Sequence, residues 1–173
     1  MHFERLRTSG DQSYKKSMEL YNISFPFHEQ RKPSLQAEIM DHEEYQFNLI
    51  RDQGGTVGIL LCWETEAFIY VEHFCIRPEM RNKKYGQRAL DLLGRRKKTI
   101  ILEIDPPVDE VSIHRKAFYE RAGYMANEFE HIHPPYHEEY PGHRLVVMSY
   151  PQQLTKAGYY SFNQYLRAVV MEH

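Results

Sequence analysis

A cluster of basic residues lies between a predicted strand and a predicted helix in the middle of the chain. The strand, Phe68–Ile76, is rich in β-branched and aromatic residues, and Arg77-Pro78-Glu79 ends it because proline cannot donate to a ladder. The basic residues are Arg81, Lys83, Lys84 and Arg88. The first amides of a helix lack partners within it, and the helix dipole adds partial positive charge there. This pattern predicts a phosphate-binding loop, although a surface turn with solvated charges has the same spacing.

Hydrophobic periodicity predicts the elements that position this loop. Strands are predicted at residues 45–49, 56–63 and 68–76, and their short connections favour an antiparallel meander. The apolar run Thr99–Ile104 predicts a strand covered on both faces, parallel to the strand at 68–76. The other predicted elements are a strand at 2–6, helices with Asp11, Ser34 and Asp109 as N-caps, strands at 124–129 and 145–150, and a helix from Thr155.

Composition excludes several classes of protein. The chain has 173 residues, with 22 lysines and arginines against 24 aspartates and glutamates, so it lacks the basic excess of a nucleic-acid binder. No apolar run is long enough to span a bilayer, and residues 1–10 do not resemble a signal peptide. The two cysteines, Cys62 and Cys75, lie on predicted strands and fit a reducing compartment. The expected location is cytoplasmic, without a membrane or nucleic-acid partner.

Two motifs in this sequence resemble those of the GNAT superfamily of acetyl-CoA-dependent N-acetyltransferases. Ile76-Arg77-Pro78 followed by Arg81-Asn82-Lys83-Lys84-Tyr85-Gly86 is similar to the family's acetyl-CoA motif, Val-x-Pro and then Arg/Gln-x-x-Gly-x-Gly/Ala. Tyr119-Glu120-Arg121-Ala122-Gly123-Tyr124 resembles a second motif, Tyr-x-x-x-Gly-Phe. Two positions depart from the family pattern: Lys84 replaces its first glycine, and Ser112 replaces an asparagine.

The resemblance covers residues 2–150 and implies an α+β, α/β/α sandwich-like fold. Its sheet is expected to be mixed and mostly antiparallel, with six to seven strands and one splayed parallel pair. Residues 1–150 are expected to form the acetyltransferase domain. Residues 151–173 are expected to form a C-terminal helix, packed either on that domain or at the interface of a possible homodimer.

The resemblance also implies that acetyl-CoA is the acyl donor and that its pantetheine arm lies between two diverging strands. Backbone groups of Phe74 and Ile76 would bind the arm like an added strand, and the Ile76 amide would polarise the thioester carbonyl. The residues implied to contact acetyl-CoA are Phe74, Cys75, Ile76, Arg81, Asn82, Lys83, Lys84, Tyr85, Gly86, Gln87, Ser112 and Phe118.

Two residues are assigned catalytic roles by the same resemblance. Glu72 is the expected general base, on the same side of its strand as Phe74 and Ile76, with His73 on the opposite side. A free glutamate has a pKa of about 4.3, so burial must raise that pKa or water must relay the proton. Tyr119 is the expected general acid that protonates the departing thiolate. A paired strand glutamate and a core tyrosine are the structural alternatives.

The acceptor, a small-molecule or peptide amine, is expected to enter from the other mouth of the same cleft. The residues expected to line that mouth are Phe25, Phe27, His133 and Tyr136. Direct transfer in a ternary complex is favoured over an acyl-enzyme on Cys75, because a buried cysteine is usually a small apolar residue.

The same sequence features are compatible with two other functions. The loop histidines His131, His133, His137 and His143 can bind zinc, but their spacing does not match structural zinc patterns, so no metal is predicted. A non-catalytic module that binds acyl-CoA or a partner protein is the alternative to an enzyme.

Overall fold

The computed structural model describes residues 1–172 and contains nine strands. These strands are β1 (His2–Leu6), β2 (Tyr45–Asp52), β3 (Gly55–Glu64), β4 (Phe68–Ile76), β5 (Thr99–Ile104), β6 (Met125–Ala126), β7 (Ile132–His133), β8 (His143–Arg144) and β9 (Val146–Tyr150). Seven form one sheet in the order β1-β2-β3-β4-β5-β9-β6, and β7 pairs with β8. In the large sheet every neighbouring pair is antiparallel except β4–β5, which confirms the predicted fold class.

Within the described residues, five α-helices cover the two faces of this sheet. They are α1 (Gln12–Ser24), α2 (Pro33–Glu38), α3 (Tyr85–Gly94), α4 (Glu110–Arg121) and α5 (Lys156–Tyr165). The predicted caps at Asp11 and Asp109 are confirmed, since each side chain accepts a hydrogen bond from an amide of its first turn. The predicted cap at Ser34 is wrong: α2 begins at Pro33, whose fixed φ suits a first helical position.

Two buried clusters lie on opposite faces of the sheet and hold the helices there. One includes Tyr21 of α1 and Phe162 of α5, and the other includes Leu93 of α3 and Tyr119 of α4. Their contents follow from the side-chain alternation of the strands, because successive residues of a strand point to opposite faces. The cleft described below therefore has α1 and α5 on one side and α3 and α4 on the other.

The predicted strand at residues 124–129 is mostly wrong, because only Met125–Ala126 pairs with β9. The side chain of Asn127 donates to Val147 O at 3.1 Å, and its Oδ1 accepts from Leu154 N at 2.7 Å, so it occupies backbone groups beside the sheet edge. Phe129 then stacks on Tyr159 of α5 with the ring centroids 4.1 Å apart.

The C-terminal helix packs on its own sheet. Phe162, Leu166 and Val170 are fully buried in the cluster shared with α1, the last two on a π-helical turn, Leu166–Val170, that continues α5. His173, the last residue of the predicted C-terminal segment, lies outside the described residues. Within residues 1–172, no helix combines the length and apolar character needed to cross a membrane.

Candidate active site

The parallel pair β4–β5 separates halfway along β4, and a β-bulge lies at the same point. Pairing between the two strands ends at Val71, opposite Leu102. On the other edge of β4, adjacent residues of β3 pair with Val71 and His73, which leaves Glu72 as the extra residue. Beyond Val71, β4 pairs only with β3 within the described part of the chain, so its backbone groups on the β5 side are open to an added strand.

The bulge changes which side of the sheet each residue of β4 faces. Glu72 contacts Trp63 on the face covered by α1 and α5, and His73 contacts Tyr21 on that same face. Phe74 and Ile76 lie on the opposite face. The prediction that Glu72 shares a side with these two residues, with His73 opposite, is therefore wrong. A bulge places two successive residues on one face, so alternation counted along the sequence fails beyond it.

The gap between β4 and β5 opens into a cleft with a volume of about 1100 Å³. Its donor half, as we call it, is formed by the loop before α3 and by α4; its acceptor half is formed by the segment after α1 and by the loop of residues 131–143. The predicted acetyl-CoA residues that line the cleft are Phe74, Cys75, Ile76, Arg81, Asn82, Lys84, Tyr85, Gly86, Gln87 and Phe118. Phe25, His133 and Tyr136 line it as expected acceptor residues.

The loop before α3 has a backbone shaped for an anion. Lys84 is the N-cap of α3 and adopts a left-handed conformation, with φ of 62° and ψ of 10°. The first helical hydrogen bond runs from Arg88 N to Lys84 O at 3.0 Å, so the amides before it are available to a ligand. An added Cβ on Gly86 would lie 3.0 Å from Phe118 Cζ, so a side chain there would require the ring to shift. Helix α3 therefore starts with free donors and close backbone access.

The basic side chains of this loop differ in their availability. Arg81 Nε donates to Ile76 O at 3.2 Å, which places its guanidinium beside the end of β4. Lys83 folds back onto Glu79 O at 2.9 Å and does not line the cleft. Arg88 forms two hydrogen bonds with Asp52, at 3.0 and 3.1 Å. Arg81 and Lys84 therefore supply the charge at the cleft, while Arg88 has a structural partner.

Tyr119 and Cys75 both line the cleft. The Tyr119 hydroxyl has no hydrogen-bond partner among residues 1–172, and burial raises its pKa to about 12. The phenol is therefore protonated at neutral pH and able to donate. Burial also raises the pKa of the Cys75 thiol, which lowers the fraction of nucleophilic thiolate. These properties suit a proton donor at Tyr119 and a packing role for Cys75.

Glu72 is completely enclosed by hydrogen-bond donors. Its Oε1 accepts from Arg31 at 2.6 Å and from the Tyr136 hydroxyl at 2.8 Å, and its Oε2 accepts from Trp63 Nε1 at 2.8 Å. Burial acts to raise the pKa of Glu72, but the Arg31 guanidinium and the other donors outweigh it and lower the pKa to about 2. A glutamate base needs either a raised pKa or a water molecule that relays the proton, and Glu72 does not have the raised pKa.

Two other predicted site residues do not reach the cleft. Ser112 is buried at the start of α4, where its hydroxyl accepts from Asp109 N at 3.1 Å and closes a capping box. Its predicted bond to pantetheine is therefore wrong. Phe27 is 59% exposed and stacks on His137, with ring centroids 4.4 Å apart, outside the cleft. Its predicted role in lining the acceptor mouth stays a prediction.

A second buried carboxylate in the acceptor half was missed by sequence reasoning. Glu103 lies near the end of β5, beyond its pairing with β4, and accepts from the hydroxyl of Tyr70 at 2.5 Å. It also pairs with His131, and its Oε2 lies 3.8 Å from His133 Nε2. Burial acts to raise the pKa of Glu103, but His133 and His131 lower it overall. The available signal was a single acidic residue within the apolar run of β5.

The sequence comparison decides the family. Residues 14–133 match the model of the acetyltransferase (GNAT) domain. The chain belongs to the GNAT acetyltransferase family. No curated protein matches the sequence.

Solved structures of other GNAT proteins share this fold. One assigned to the family, from Bacteroides thetaiotaomicron, is 31% identical, with a TM-score of 0.93 over 100% of this chain and 99% of its own. A Bacillus subtilis acetyltransferase in complex with CoA is 14% identical, with a TM-score of 0.58 over 86% of this chain and 96% of its own. An aminoglycoside 6'-N-acetyltransferase complexed with coenzyme A is 17% identical, with a TM-score of 0.60 over 86% and 96%. At these last two identities the likeness shows the fold alone.

The two departures of this GNAT protein from the family pattern have different structural outcomes. Lys84 keeps the left-handed conformation that glycine adopts most easily, so the loop is built at the cost of some backbone strain. Ser112 is instead used in the cap of α4, which removes a predicted ligand contact.

Proposed function

We propose that this GNAT protein transfers an acetyl group from acetyl-CoA to a primary amine by direct attack in a ternary complex. The observation that carries the proposal is the unpaired side of β4 beyond Val71, inside a cleft that continues to the anion-ready loop before α3. Relatives of the same fold that were crystallised with coenzyme A support the choice of donor. Family membership itself indicates an N-acyltransferase.

The donor half fits acetyl-CoA at both ends of the molecule. Backbone groups of Phe74 and Ile76 bind the pantetheine arm as an added strand, with Cys75 packing beneath it. The amides from Lys84 to Gln87 bind the diphosphate, assisted by the charge of Arg81. When bound, acetyl-CoA supplies an activated thioester whose carbonyl carbon the amine attacks.

Proton transfer in this proposal uses two side chains of the cleft. Tyr119 protonates the departing thiolate, since its hydroxyl is protonated and unpaired. For the amine, we replace the expected base Glu72 with His133. Pro134 O lies 2.6 Å from His133 Nδ1, which fixes the proton on Nδ1 and leaves a lone pair on Nε2. The Glu103 carboxylate, 3.8 Å from that Nε2, stabilises the imidazolium that forms.

Glu72 then has a positioning role. A carboxylate whose pKa is about 2 and whose oxygens accept three hydrogen bonds is a poor proton acceptor at neutral pH. Its bonds to Arg31 and Tyr136 instead hold the acceptor wall against the bulge of β4. This assignment explains why a charged residue is buried where the two parallel strands separate.

Calorimetry and amine screening test the proposed function together. Coenzyme A and acetyl-CoA are expected to bind one per chain, and at least one amine of a broad panel is expected to be acetylated. Tyr119→Phe should lower kcat about tenfold or more while coenzyme A affinity is kept. Tyr124→Phe, which removes another buried hydroxyl outside the cleft, is the matched control. Binding without turnover of any amine would support the non-catalytic module, and no binding of coenzyme A would overturn the proposal.

His133→Gln tests the assigned base. At neutral pH we expect kcat/KM to fall about 100-fold or more, because the acceptor amine loses its proton acceptor. The loss should shrink as the pH rises towards the pKa of the acceptor amine, because more of the amine is then already neutral. His137→Gln is the control, since His137 lies in the same loop, is buried and bonds to Phe27 O at 3.2 Å. An equal loss at every pH would show that His133 has only a structural role.

A further inference from the structure

We propose that His28, Glu29 and His143 bind a divalent transition-metal ion at the mouth of the acceptor half. Each side chain offers one ligand atom, and the three atoms lie within 4.8 Å of one another. Imidazole nitrogen and carboxylate oxygen together suit zinc, cobalt and nickel. Ligands of a tetrahedral zinc ion lie about 3.3 Å apart, so small side-chain rotations close this group on an ion.

Two segments distant in sequence bring these residues together. His28 and Glu29 lie on a 3₁₀ turn after α1, where Glu29 N donates to Pro26 O at 2.9 Å. His143 is the first residue of β8 and is paired with β7. Both segments are therefore held by backbone hydrogen bonds before an ion binds, which lowers the ordering cost of binding.

Within the described residues, the protein uses little of the ligand capacity of this cluster, and the ring nitrogen of His143 that has a partner is Nε2, beside Asp105. His28 has no hydrogen bond within the described residues, and its Nε2 lies 3.7 Å from the Glu29 carboxylate. His131, His133 and His137 differ, because each bonds to a protein oxygen that holds its ring in the loop. Those three histidines, considered above as zinc ligands, are instead held in place by the loop, where His133 keeps its role as the proposed base. The metal-binding group is built from the fourth, His143, and from the turn after α1.

Asp105 provides the outer support that metal-bound histidines usually have. Its Oδ1 lies 3.3 Å from His143 Nε2, and its Oδ2 accepts from Arg115 at 2.5 Å. A carboxylate beside a ligating histidine orients the ring and raises its basicity. The other ring nitrogen of His143, Nδ1, then remains available to the metal ion. Asp105 is therefore a positioning residue for the site.

The location links the ion to the acceptor. His28, Glu29, Asp105 and His143 all line the cleft, and they join the turn after α1 to β8 across its acceptor side. Three protein ligands leave at least one position of a four-coordinate ion for water or for a ligating acceptor. If the proposed acetyl transfer is correct, metal binding will change KM for the amine and leave coenzyme A affinity unchanged. Metal binding itself does not depend on the proposed function.

Titration of the untagged, metal-free chain with zinc tests the site directly. Calorimetry is expected to show saturable binding of one zinc ion per chain, and cobalt in its place should give the visible absorption of a four-coordinate ion. His28→Ala and His143→Ala should each weaken zinc binding at least about tenfold, and Asp105→Asn should weaken it less. Magnesium, which prefers oxygen ligands, is expected not to compete.

His114→Ala is the matched control, since His114 is also an exposed histidine of the cleft but lies outside the cluster. It should bind zinc like the wild type. Thermal melts without metal check that every variant folds, which we expect because His28 and His143 have side chains 42% and 37% exposed. The absence of saturable binding, or unchanged binding in the His28→Ala/His143→Ala double variant, would overturn the proposal.

Discussion

The Glu72 carboxylate is buried together with the cation that neutralises it. The side chains of Glu72 and Arg31 are each 1% exposed, and Arg31 also donates to Val170 O at 3.0 Å. A buried ion pair gains little over an apolar pair, but removing one partner strands the other charge. The pair therefore makes the wall of the acceptor half sensitive to a single substitution.

Glu72→Gln is expected to destabilise the protein and to flatten its response to acid. The folded pKa of about 2 lies below the ordinary 4.5, so the ionised carboxylate stabilises the fold above pH 4.5. This stability, about 3 kcal/mol, is lost as the pH falls from 4.5 to about 2. Urea unfolding at a series of pH values across this range should therefore show that the free energy of unfolding depends less steeply on pH in the variant. At pH 7 the free energy of unfolding of the variant should be lower by about 3 kcal/mol. Glu66→Gln, at an exposed position, is the control; equal slopes would contradict the role of the ion pair.

The start of α3 shows how one element creates a binding site from backbone. Its N-cap, Lys84, has a positive φ, and a non-glycine residue in this region costs roughly 1–2 kcal/mol. The conformation turns the chain so that the first amides of α3 face the cleft. In return for this strain, the Lys84 side chain brings positive charge to the place where the free amides of α3 already favour an anion.

Lys84→Gly and Lys84→Ala separate these two contributions. Both variants lose the charge, so both should bind coenzyme A more weakly, by about the same factor at low salt. Alanine keeps the strained conformation and glycine relieves it, so the glycine variant should be more stable by about 1 kcal/mol in chemical unfolding. Equal stabilities would show that the loop does not keep its left-handed turn in solution. Equal affinity to wild type in both would show that the lysine charge does not contact the ligand.

At the scale of the whole molecule, the described residues form a seven-stranded sheet with a buried cluster on each face, and the C-terminal helix belongs to one of these clusters. Phe162 of α5 is fully buried, with its ring centroid 5.1 Å from that of Tyr70 and 5.9 Å from that of His131. Tyr70 and His131 both contact Glu103 in the acceptor half. The helix therefore supports the cleft and does not form a separate unit.

Phe162→Ala is expected to lower the free energy of unfolding of the entire chain by about 3–5 kcal/mol, because it leaves a cavity in a shared core. Unfolding followed by fluorescence and by circular dichroism should remain a single coincident transition. Tyr160→Ala removes an aromatic ring that is 62% exposed on the same helix, and should change stability by less than about 0.5 kcal/mol. Two separate transitions in the Phe162 variant would show that the helix folds independently.

Local patterns were enough to predict much of this protein. The bounds of β4 and β5 match the predicted strands, and the caps at Asp11 and Asp109 are confirmed, because strand composition and capping act between near neighbours. The two motifs around Gly86 and Gly123 were sufficient to identify the GNAT family, because each motif is a short run of neighbouring residues that the sequence shows directly.

Only the tertiary structure decided the chemistry of the cleft. The bulge at Glu72 arises from pairing with β3, and it moves that carboxylate to the face where Arg31 lies, 41 positions earlier in the chain. Glu103 likewise pairs with His131, and His28 lies beside His143, each from a distant part of the chain. The pKa of a side chain depends on burial and neighbouring charge, and both are set by contacts between residues far apart in sequence.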